Sequence, residues 1–313
     1  MKSKSTAVLL GTYNGEPYLR EQLQSLADQS YQDYICYIHD DGSTDRTLDI
    51  AEAYAKRYPD RFKVLSYKAN HGAIGNFMSL ARYVLKHSTE SYFLFCDQDD
   101  YWDARKIEKQ VSMVRQNEMI GKPYLLYCDR TVTDDRLQTI AESGMLYTKC
   151  RAGVNDTYKK LVFRNTAAGC TMCMNRACLE LAMNYVNDEH IFMHDWWFML
   201  IGRYFGEVGF LDEPLMKYRQ HGSNALGVAD PSLSGRIKTI TKDLPGYIKA
   251  KRINTLKLKQ QILDIGSIPA DTPYRSELTA LCKHLNSGWL SRSVYLLSEG
   301  YIRPSEFMTL FFL

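Results

Sequence analysis

Short apolar runs alternate with amphipathic segments along the first 120 residues. The runs AVLLG, YICYI, FKVL and YFLF have the length of strands, and segments with apolar residues at helical spacing separate them, as with Leu19, Leu23 and Leu26. This alternation is typical of βαβ crossovers. It predicts an α/β fold in which helices cover a largely parallel sheet.

The rhythm changes after residue 120. YLLYCD and GCTMCMN have the character of short strands, HDWWFMLIGRYFG that of a helix, and EVGFLDEPLMKYRQHGSN that of a strand or hairpin, and only helical segments follow from about residue 230. We therefore expect one large domain over residues 1–228, with halves at 1–120 and 121–228. Residues 229–313 are expected to form a helical C-terminal extension.

Composition narrows the class of protein. Hydrophobic residues make up 45% and charged residues 24% of the 313 residues, as in a folded globular chain. The net charge of +3 gives no argument for nucleic acid. Without an apolar signal segment or a run long enough to span a bilayer, the chain is expected to be cytoplasmic. Eight cysteines then indicate reduced thiols, and the CxxC at Cys170 and Cys173 has no second pair with which to hold zinc.

Three polar loops follow predicted strands: GTYNG, HDDGSTD and CDQDDYW. Ligands of open α/β sheets bind outside the carboxyl ends of the strands, where these loops meet. Neither G-x-G-x-x-G nor a P-loop motif is present, so a bound diphosphate needs another source of positive charge. Crowding of Asp97, Asp99 and Asp100 suggests a divalent cation. The alternative is a solvated turn that caps the next helix.

Five motifs in order, TYNG, DDGSTD, DQDD, HDWW and YRQHGSN, carry a resemblance to a known family. Over roughly residues 5–225 the chain resembles the inverting nucleotide-sugar glycosyltransferases of family 2, which implies the GT-A fold. The segments CDQDDYW and HDWW are most similar to those of bacterial rhamnosyltransferases that build cell-wall or capsular polysaccharide.

The resemblance implies a role for each matching residue. It places Thr12, Tyr13 and Asn14 in the nucleotide pocket, Asp41 at the base edge, Asp97 at the ribose, Asp99 and His221 on Mn²⁺ or Mg²⁺, Asp100 as a reserve ligand or donor-sugar contact, and Asp195 as the catalytic base. Two of these residues have ordinary alternatives. Asp195 could cap a helix, and a His in a Gly-containing loop, such as His221, is commonly a surface residue.

The expected activity is metal-dependent transfer of a sugar, L-rhamnose from dTDP-L-rhamnose, to a bacterial cell-surface polysaccharide or a polyprenyl-linked glycan. A UDP-hexose donor is the first alternative. A nucleotidyltransferase is another, although AVLLGTYNGEPYLR lacks the Gly-rich and basic phosphate loop that such an enzyme needs. A non-catalytic sugar-nucleotide binding module is the third, and it would have no use for the acid in HDWW.

The C-terminal region differs in charge from the rest. Residues 231–260 contain eight Lys or Arg and one acid, Asp243, and the chain closes on the apolar SEFMTLFFL. These features predict either a solvated helical face with a docked terminus or a surface for anionic lipid headgroups with a shallow apolar anchor. The second interpretation implies peripheral contact with the inner face of the cell membrane.

Overall fold

The computed structural model describes residues 5–65, 71–222, 244–302 and 313. Over these residues, nine strands form one sheet: β1 Thr6–Thr12, β2 Tyr34–Asp40, β3 Phe62–Leu65, β4 Tyr92–Asp97, β5 Tyr101–Trp102, β6 Tyr124–Thr133, β7 Thr139–Ala141, β8 Met172–Asn175 and β9 Glu207–Arg219. The helices are α1 Glu16–Ala27, α2 Thr47–Arg57, α3 Gly72–His87, α4 Lys106–Asn117, α5 Gly144–Tyr147, α6 Tyr158–Leu161, α7 Arg176–Asn184, α8 His194–Phe205, α9 Leu244–Ser267, α10 Arg275–Leu285 and α11 Trp289–Ser298.

The strand order is β3-β2-β1-β4-β8-β6-β9-β5, with β7 paired to β6. In the first half β1 is parallel to β2 and β4, and β2 to β3, so the predicted parallel sheet is confirmed there. Strand β8 is antiparallel to both β4 and β6, whereas β6 and β9 are parallel. The segment expected to be a strand or hairpin is the single strand β9, whose pairing with β6 shifts register at Cys128 and Asp129.

Both faces of the sheet are covered, as buried parallel strands require. Along β1, Val8 and Leu10 pack with apolar residues of α1, α2 and α4. Ala7 and Leu9 alternate with them and pack on the opposite face with α3, α7 and α8. The period of two in the apolar run thus places one helical layer on each side of the sheet.

The C-terminal helices extend the core that contains α8. Leu258 and Ile262 of α9 are buried in it, together with residues of α10 and α11. Polar contacts add to this packing, because Gln261 Oε1 accepts a hydrogen bond from Phe192 N at 2.9 Å and Asp264 Oδ2 lies 2.6 Å from His190 Nδ1. Helix α9 therefore braces the segment that leads into α8. Of the helices described, none has the length and apolar character needed to cross a bilayer.

All eight cysteines are free thiols, and seven of them are buried. Burial raises the pKa of Cys173 to about 12 and that of Cys170 well above its usual value. Both thiols are therefore protonated at neutral pH. This matches the expectation of reduced thiols.

Candidate active site

Parallel pairing brings the three polar loops to one edge of the sheet. Thr12 at the end of β1 is in register with Asp40 at the end of β2, and Gly11 is in register with Asp97 at the end of β4. The loops that follow β1, β2 and β4 are therefore neighbours around one crevice, as the sequence predicts.

Hydrogen bonds join the loop after β1 to the loop after β2. Thr12 Oγ1 donates to Asp40 Oδ1 at 2.9 Å. Asn14 has a left-handed backbone (φ 46°), its N–H donates to Ser43 Oγ at 2.8 Å, and its Oδ1 accepts from Thr44 N at 2.8 Å. Asn tolerates this conformation better than most residues do. In this structure Thr12 and Asn14 thus fix the shape of the crevice wall.

The third loop is held by a pair of hydrogen bonds. Gln98 Oε1 accepts from Tyr13 N at 2.8 Å, and Gln98 Nε2 donates to Tyr13 O at 2.9 Å. Tyr13 itself remains 46% exposed. On the other side, buried Asp41 accepts a hydrogen bond from His71 N at 2.8 Å and so holds the start of α3.

The crowding expected in DQDD is present. Ligand atoms of Asp97, Asp100 and Cys170 lie within 4.8 Å of one another. Burial, followed by repulsion from Asp99, raises the pKa of Asp97 to about 7. The same two causes raise the pKa of Asp100 well above its usual value. Oδ1 of Asp100 accepts from Arg219 N at 3.2 Å, whereas Oδ2 has no hydrogen-bond partner among the described residues.

Asp99 and His221 come together although 122 residues separate them. Their Oδ2 and Nε2 atoms are 2.8 Å apart, and both side chains are largely buried. The imidazole stacks on Tyr18 with 4.4 Å between ring centres. Arg219 Nε donates to the carbonyl of Asp99 at 2.8 Å, which ties the end of β9 to the DQDD loop.

This geometry fits a divalent cation of the Mn²⁺ or Mg²⁺ type. Two adjacent ligands of an octahedral ion bound at ~2.1 Å are about 3 Å apart, close to the spacing of Asp99 and His221. The buried, unpartnered oxygen of Asp100 is a further hard donor nearby. Cys170 is a poor ligand for these ions, because its thiol is protonated and they prefer oxygen. Asp99 and His221 would therefore hold the cation.

Asp195 lies in the first turn of α8, just beyond the N-cap residue Met193. It is buried, and Oδ1 has no hydrogen-bond partner within the described part of the chain. Burial raises the pKa of Asp195 to about 6, opposed by the N–H groups of Trp196 and Gly169. Its charge in turn raises the pKa of Asp97, so the two carboxylates lie within electrostatic reach of each other. The position of Asp195 is thus inside the helix, not at its cap.

Neighbouring His194 packs among aromatic residues. Its imidazole stacks on Phe77 at 4.3 Å and contacts the edge of Phe95. Burial lowers the pKa of His194 to about 3, so the ring is neutral. A Cβ on Gly169 would lie 2.7 Å from Nε2, so only glycine lets the 3₁₀ turn Gly169–Thr171 approach this closely.

Sequence reasoning left several residues of this site without a role. Gln98 and Arg219 stand inside the motifs DQDD and YRQHGSN, so the motifs could have pointed to them. Tyr18 and Arg130 carry no local signal, since neither belongs to a motif and the fold alone brings them to the crevice. Trp196 and Trp197 are core residues whose indole N–H groups donate to the carbonyls of Leu161 and Ala182.

The first half of the sheet is parallel, its strand ends carry the acidic DQDD loop, and His221 lies beside that loop. This arrangement is that of a glycosyltransferase with the GT-A fold. The family model "Glycosyl transferase family 2" matches residues 7–175, more than half of the chain, and the chain belongs to this family.

Relatives and solved structures agree with this assignment. The chain is 29% identical over 306 residues to a dTDP-rhamnosyl transferase, RfbG, of Shigella flexneri, covering 95% of each chain. It resembles the solved structure of S. aureus TarS 1-349 with a TM-score of 0.56 at 17% identity, over 90% of this chain and 71% of that one. The mannosyltransferase PcManGT of Pyrobaculum calidifontis, solved with GDP-Man and Mn²⁺, matches at 0.53 and 15% identity over 96% and 76%.

Proposed function

We propose that this enzyme is a metal-dependent inverting glycosyltransferase that transfers L-rhamnose from dTDP-L-rhamnose to a bacterial cell-surface polysaccharide or lipid-linked glycan. The observation that carries the proposal is the convergence of two acidic groups from different halves of the chain. Asp99 with His221 lies at the strand ends, and Asp195 approaches from α8 with one oxygen unpartnered. The full-length similarity to a dTDP-rhamnosyl transferase supports this donor.

In the proposed reaction the Asp195 carboxylate accepts the proton of an acceptor hydroxyl. The hydroxyl oxygen attacks the anomeric carbon as the bond to the diphosphate oxygen breaks, and this single displacement inverts the configuration. Asp99 and His221 would hold a Mn²⁺ or Mg²⁺ ion, which would supply positive charge for the departing nucleoside diphosphate. The nucleotide is surrounded by Thr12, Tyr13, Asn14 and Asp41. Asp97 contacts the ribose, and Asp100 is a reserve metal ligand or a contact to the donor sugar.

A donor panel tests the function. The protein is incubated with dTDP-L-rhamnose, UDP-glucose, UDP-GlcNAc and GDP-mannose, each with Mn²⁺, Mg²⁺ or excess chelator, and release of nucleoside diphosphate to water is recorded. We expect turnover of dTDP-L-rhamnose that depends on metal. Preference for a UDP-hexose would select the alternative donor, and a protein that neither binds nor hydrolyses any of the four would contradict the function.

We also propose that the C-terminal helices contact an anionic membrane surface. Three of the eight basic residues in 231–260 lie exposed on α9: Lys249, Arg252 and Lys257. On α11, Leu290, Val294 and Leu297 are 68%, 59% and 36% exposed and follow one another at i, i+4 and i+7, which places them on one face.

Basic side chains of the two helices are within electrostatic reach of each other. Burial and then the charge of Arg292 on α11 lower the pKa of Lys259 on α9. An exposed apolar stripe beside several cations is what an interfacial helix presents to anionic lipid. Arg236, Lys238, Lys242 and SEFMTLFFL up to Phe312 lie outside the described residues.

Vesicle co-sedimentation tests this surface. Replacing Leu290, Val294 and Leu297 together by Ser should reduce binding to phosphatidylglycerol vesicles, and salt should weaken the binding that remains. A matched control replaces Ile120, Ile140 and Leu146, which are also exposed, by Ser. If the unmodified protein does not sediment with these vesicles at low salt, the membrane proposal is wrong.

A further inference from the structure

Arg130 of β6 is a buried cation with no hydrogen-bonding or ionic partner among the described residues, although its guanidinium lies over the ring of Tyr218. It is 8% exposed, and its guanidinium forms no hydrogen bond or ion pair in the part of the chain that the structure describes, with Nε fully buried. The carboxylate next to it is already engaged. Asp129 accepts from Arg130 N at 2.7 Å, from Met145 N at 3.1 Å and from the hydroxyl of Ser143.

The fold directs this side chain toward the crevice. The guanidinium carbon lies 5.3 Å from the centre of the Tyr218 ring on β9. Gly144 at the start of α5 makes room for the side chain, because a Cβ there would lie 2.8 Å from Cγ of Arg130. The positive charge also lowers the pKa of Asp195 and of Cys170, so the guanidinium is within electrostatic reach of the base and of the 3₁₀ turn.

Arg130 and Asp195 do not neutralise each other by contact. They form no ion pair in the described structure, and each retains a buried polar atom without a hydrogen-bond partner, Nε on Arg130 and Oδ1 on Asp195. Burying an unpaired charge is costly unless a ligand completes it. A guanidinium presents several N–H groups in a planar fork that matches phosphate oxygens.

The location favours the acceptor over the donor. The proposed cation site for the donor diphosphate is at Asp99 and His221, whereas the guanidinium of Arg130 lies over Tyr218 and its charge acts on Asp195, the group proposed to meet the acceptor hydroxyl. We propose that Arg130 binds a phosphate group of the acceptor and so holds the reacting hydroxyl against Asp195. This inference rests on the proposed function, and it specifies the acceptor class as a phosphate-bearing glycan, such as a diphosphate-linked one.

Inorganic phosphate is the probe for this site. Its binding is measured by calorimetry in the presence of Mn²⁺ and saturating dTDP, so that the donor phosphate site is already filled. The variants are Arg130→Met, which removes the guanidinium, and Gly144→Ala, whose methyl group displaces it. Arg136→Met, at an exposed position in the same half of the chain, is the matched control for loss of one positive charge.

We expect the unmodified protein and Arg136→Met to bind phosphate alike. Arg130→Met and Gly144→Ala should bind it roughly tenfold or more weakly, as expected for loss of a charged hydrogen-bonding partner, with unchanged affinity for dTDP and Mn²⁺. Two results overturn the proposal: phosphate affinity in Arg130→Met equal to that of the unmodified protein, or loss of dTDP affinity in Arg130→Met, which would place Arg130 in the donor site.

Folding and function are separated by further measurements. If Arg130→Met does not fold by circular dichroism, Gly144→Ala and Arg130→Lys carry the test. Arg130→Lys keeps the charge without the fork and should restore part of the phosphate affinity. Hydrolysis of sugar nucleotides by the unmodified protein is recorded separately. Its absence would count against the proposed function, whereas the phosphate titration alone decides the role of Arg130.

Discussion

The nucleotide-side loops and the Asp195 side of the crevice differ in how far their polar atoms are bonded within the protein. Asn14 and Gln98 each make two hydrogen bonds to neighbouring loops. On the other side, Asp195 and Arg130 each keep a buried polar atom unpartnered among the described residues. Apart from the unpartnered Oδ2 of Asp100, the polar groups of the nucleotide-side loops hold those loops to one another, whereas the Asp195 side leaves polar atoms available to a ligand.

This contrast separates two meanings of a family motif. Residues such as Asn14 hold the loops in a preorganised form, which in the proposed function lowers the free-energy cost of binding the donor. In the proposed reaction Asp195 matters instead because a carboxylate is needed at one point in space. Substitutions on the two sides should therefore do different damage, and the following experiments measure that difference.

The largest expected effect is that of Asp195→Asn. Losing a general base typically slows a reaction by 10² to 10⁴, so we expect sugar transfer to fall at least about a hundredfold. Binding of donor and metal should be unchanged, since Asp195 belongs to α8 and is not among the residues proposed to hold the nucleotide or the cation. Quenched time-course assays measure the rate of sugar transfer, and calorimetry measures the affinity for dTDP and metal. Near-normal turnover would leave the base unassigned.

The next effect is that of Asp99→Asn on the metal. Replacing one ligand should weaken Mn²⁺-dependent binding of dTDP by about tenfold to a hundredfold, because even residues that only support a ligand cost that much. Asp49→Asn removes one exposed carboxylate from α2 and is the control. Metal titrations followed by calorimetry measure the change. Full activity of the unmodified enzyme in excess chelator would contradict the metal site.

Turnover and thermal stability should both depend on pH through Asp195. Because burial raises the pKa of Asp195 to about 6 and the base must be ionised, turnover should fall about tenfold per pH unit below that value. Because the pKa of Asp195 is higher in the native state than in the unfolded chain, protonation of Asp195 stabilises the native state. This stabilisation is fully present below about pH 4 and is lost as the pH rises through about 6. Asp195→Asn should therefore melt a few degrees higher than the unmodified protein at about pH 8 but not at about pH 4. Equal melting-temperature differences at both pH values would show that this titration is absent.

The smallest effect on rate should come from Asn14. Asn14→Ala removes the side-chain hydrogen bonds to Thr44 and puts at positive φ a residue that tolerates this conformation less well than Asn, which should cost about 1–2 kcal/mol of unfolding free energy. Affinity for dTDP should fall about threefold to tenfold, with little change in the maximal rate. Asn14→Gly keeps the φ angle accessible and isolates the lost hydrogen bonds. A hundredfold loss of rate in either variant would show that Asn14 acts in the chemistry.

Much of the fold follows from the sequence because its strands and helices carry strong periodicity. The run around Leu9 and the spacing of Leu19, Leu23 and Leu26 correspond directly to β1 and α1. The two-residue strand β5 and the short helices α5 and α6 were not predicted, since such short elements form through tertiary contacts and leave no periodic pattern.

The site was predictable to the extent that motifs mark it. DQDD, HDWW and YRQHGSN named Asp99, Asp195 and His221, and their positions at strand and helix ends follow from the pattern. Arg130 could not be found in this way. Its proposed role depends on the lack of a hydrogen-bonding or ionic partner among the described residues, which only the folded structure shows. A sequence shows which groups are charged but not which of them remain unpaired.

The contacts between α9 and the segment before α8 have a consequence for the order of events during synthesis. Asp195 leaves the ribosome well before Gln261 and Asp264, which brace residues 190–192. In the described contacts the loops at the ends of β1, β2 and β4 are held by residues no later than His221, and domains tend to fold from the N-terminus as they emerge. A nascent chain should thus acquire affinity for dTDP before it can turn a donor over. Ribosome-arrested chains that expose residues 1–243 outside the exit tunnel should bind the nucleotide and remain inactive until the last seventy residues are added.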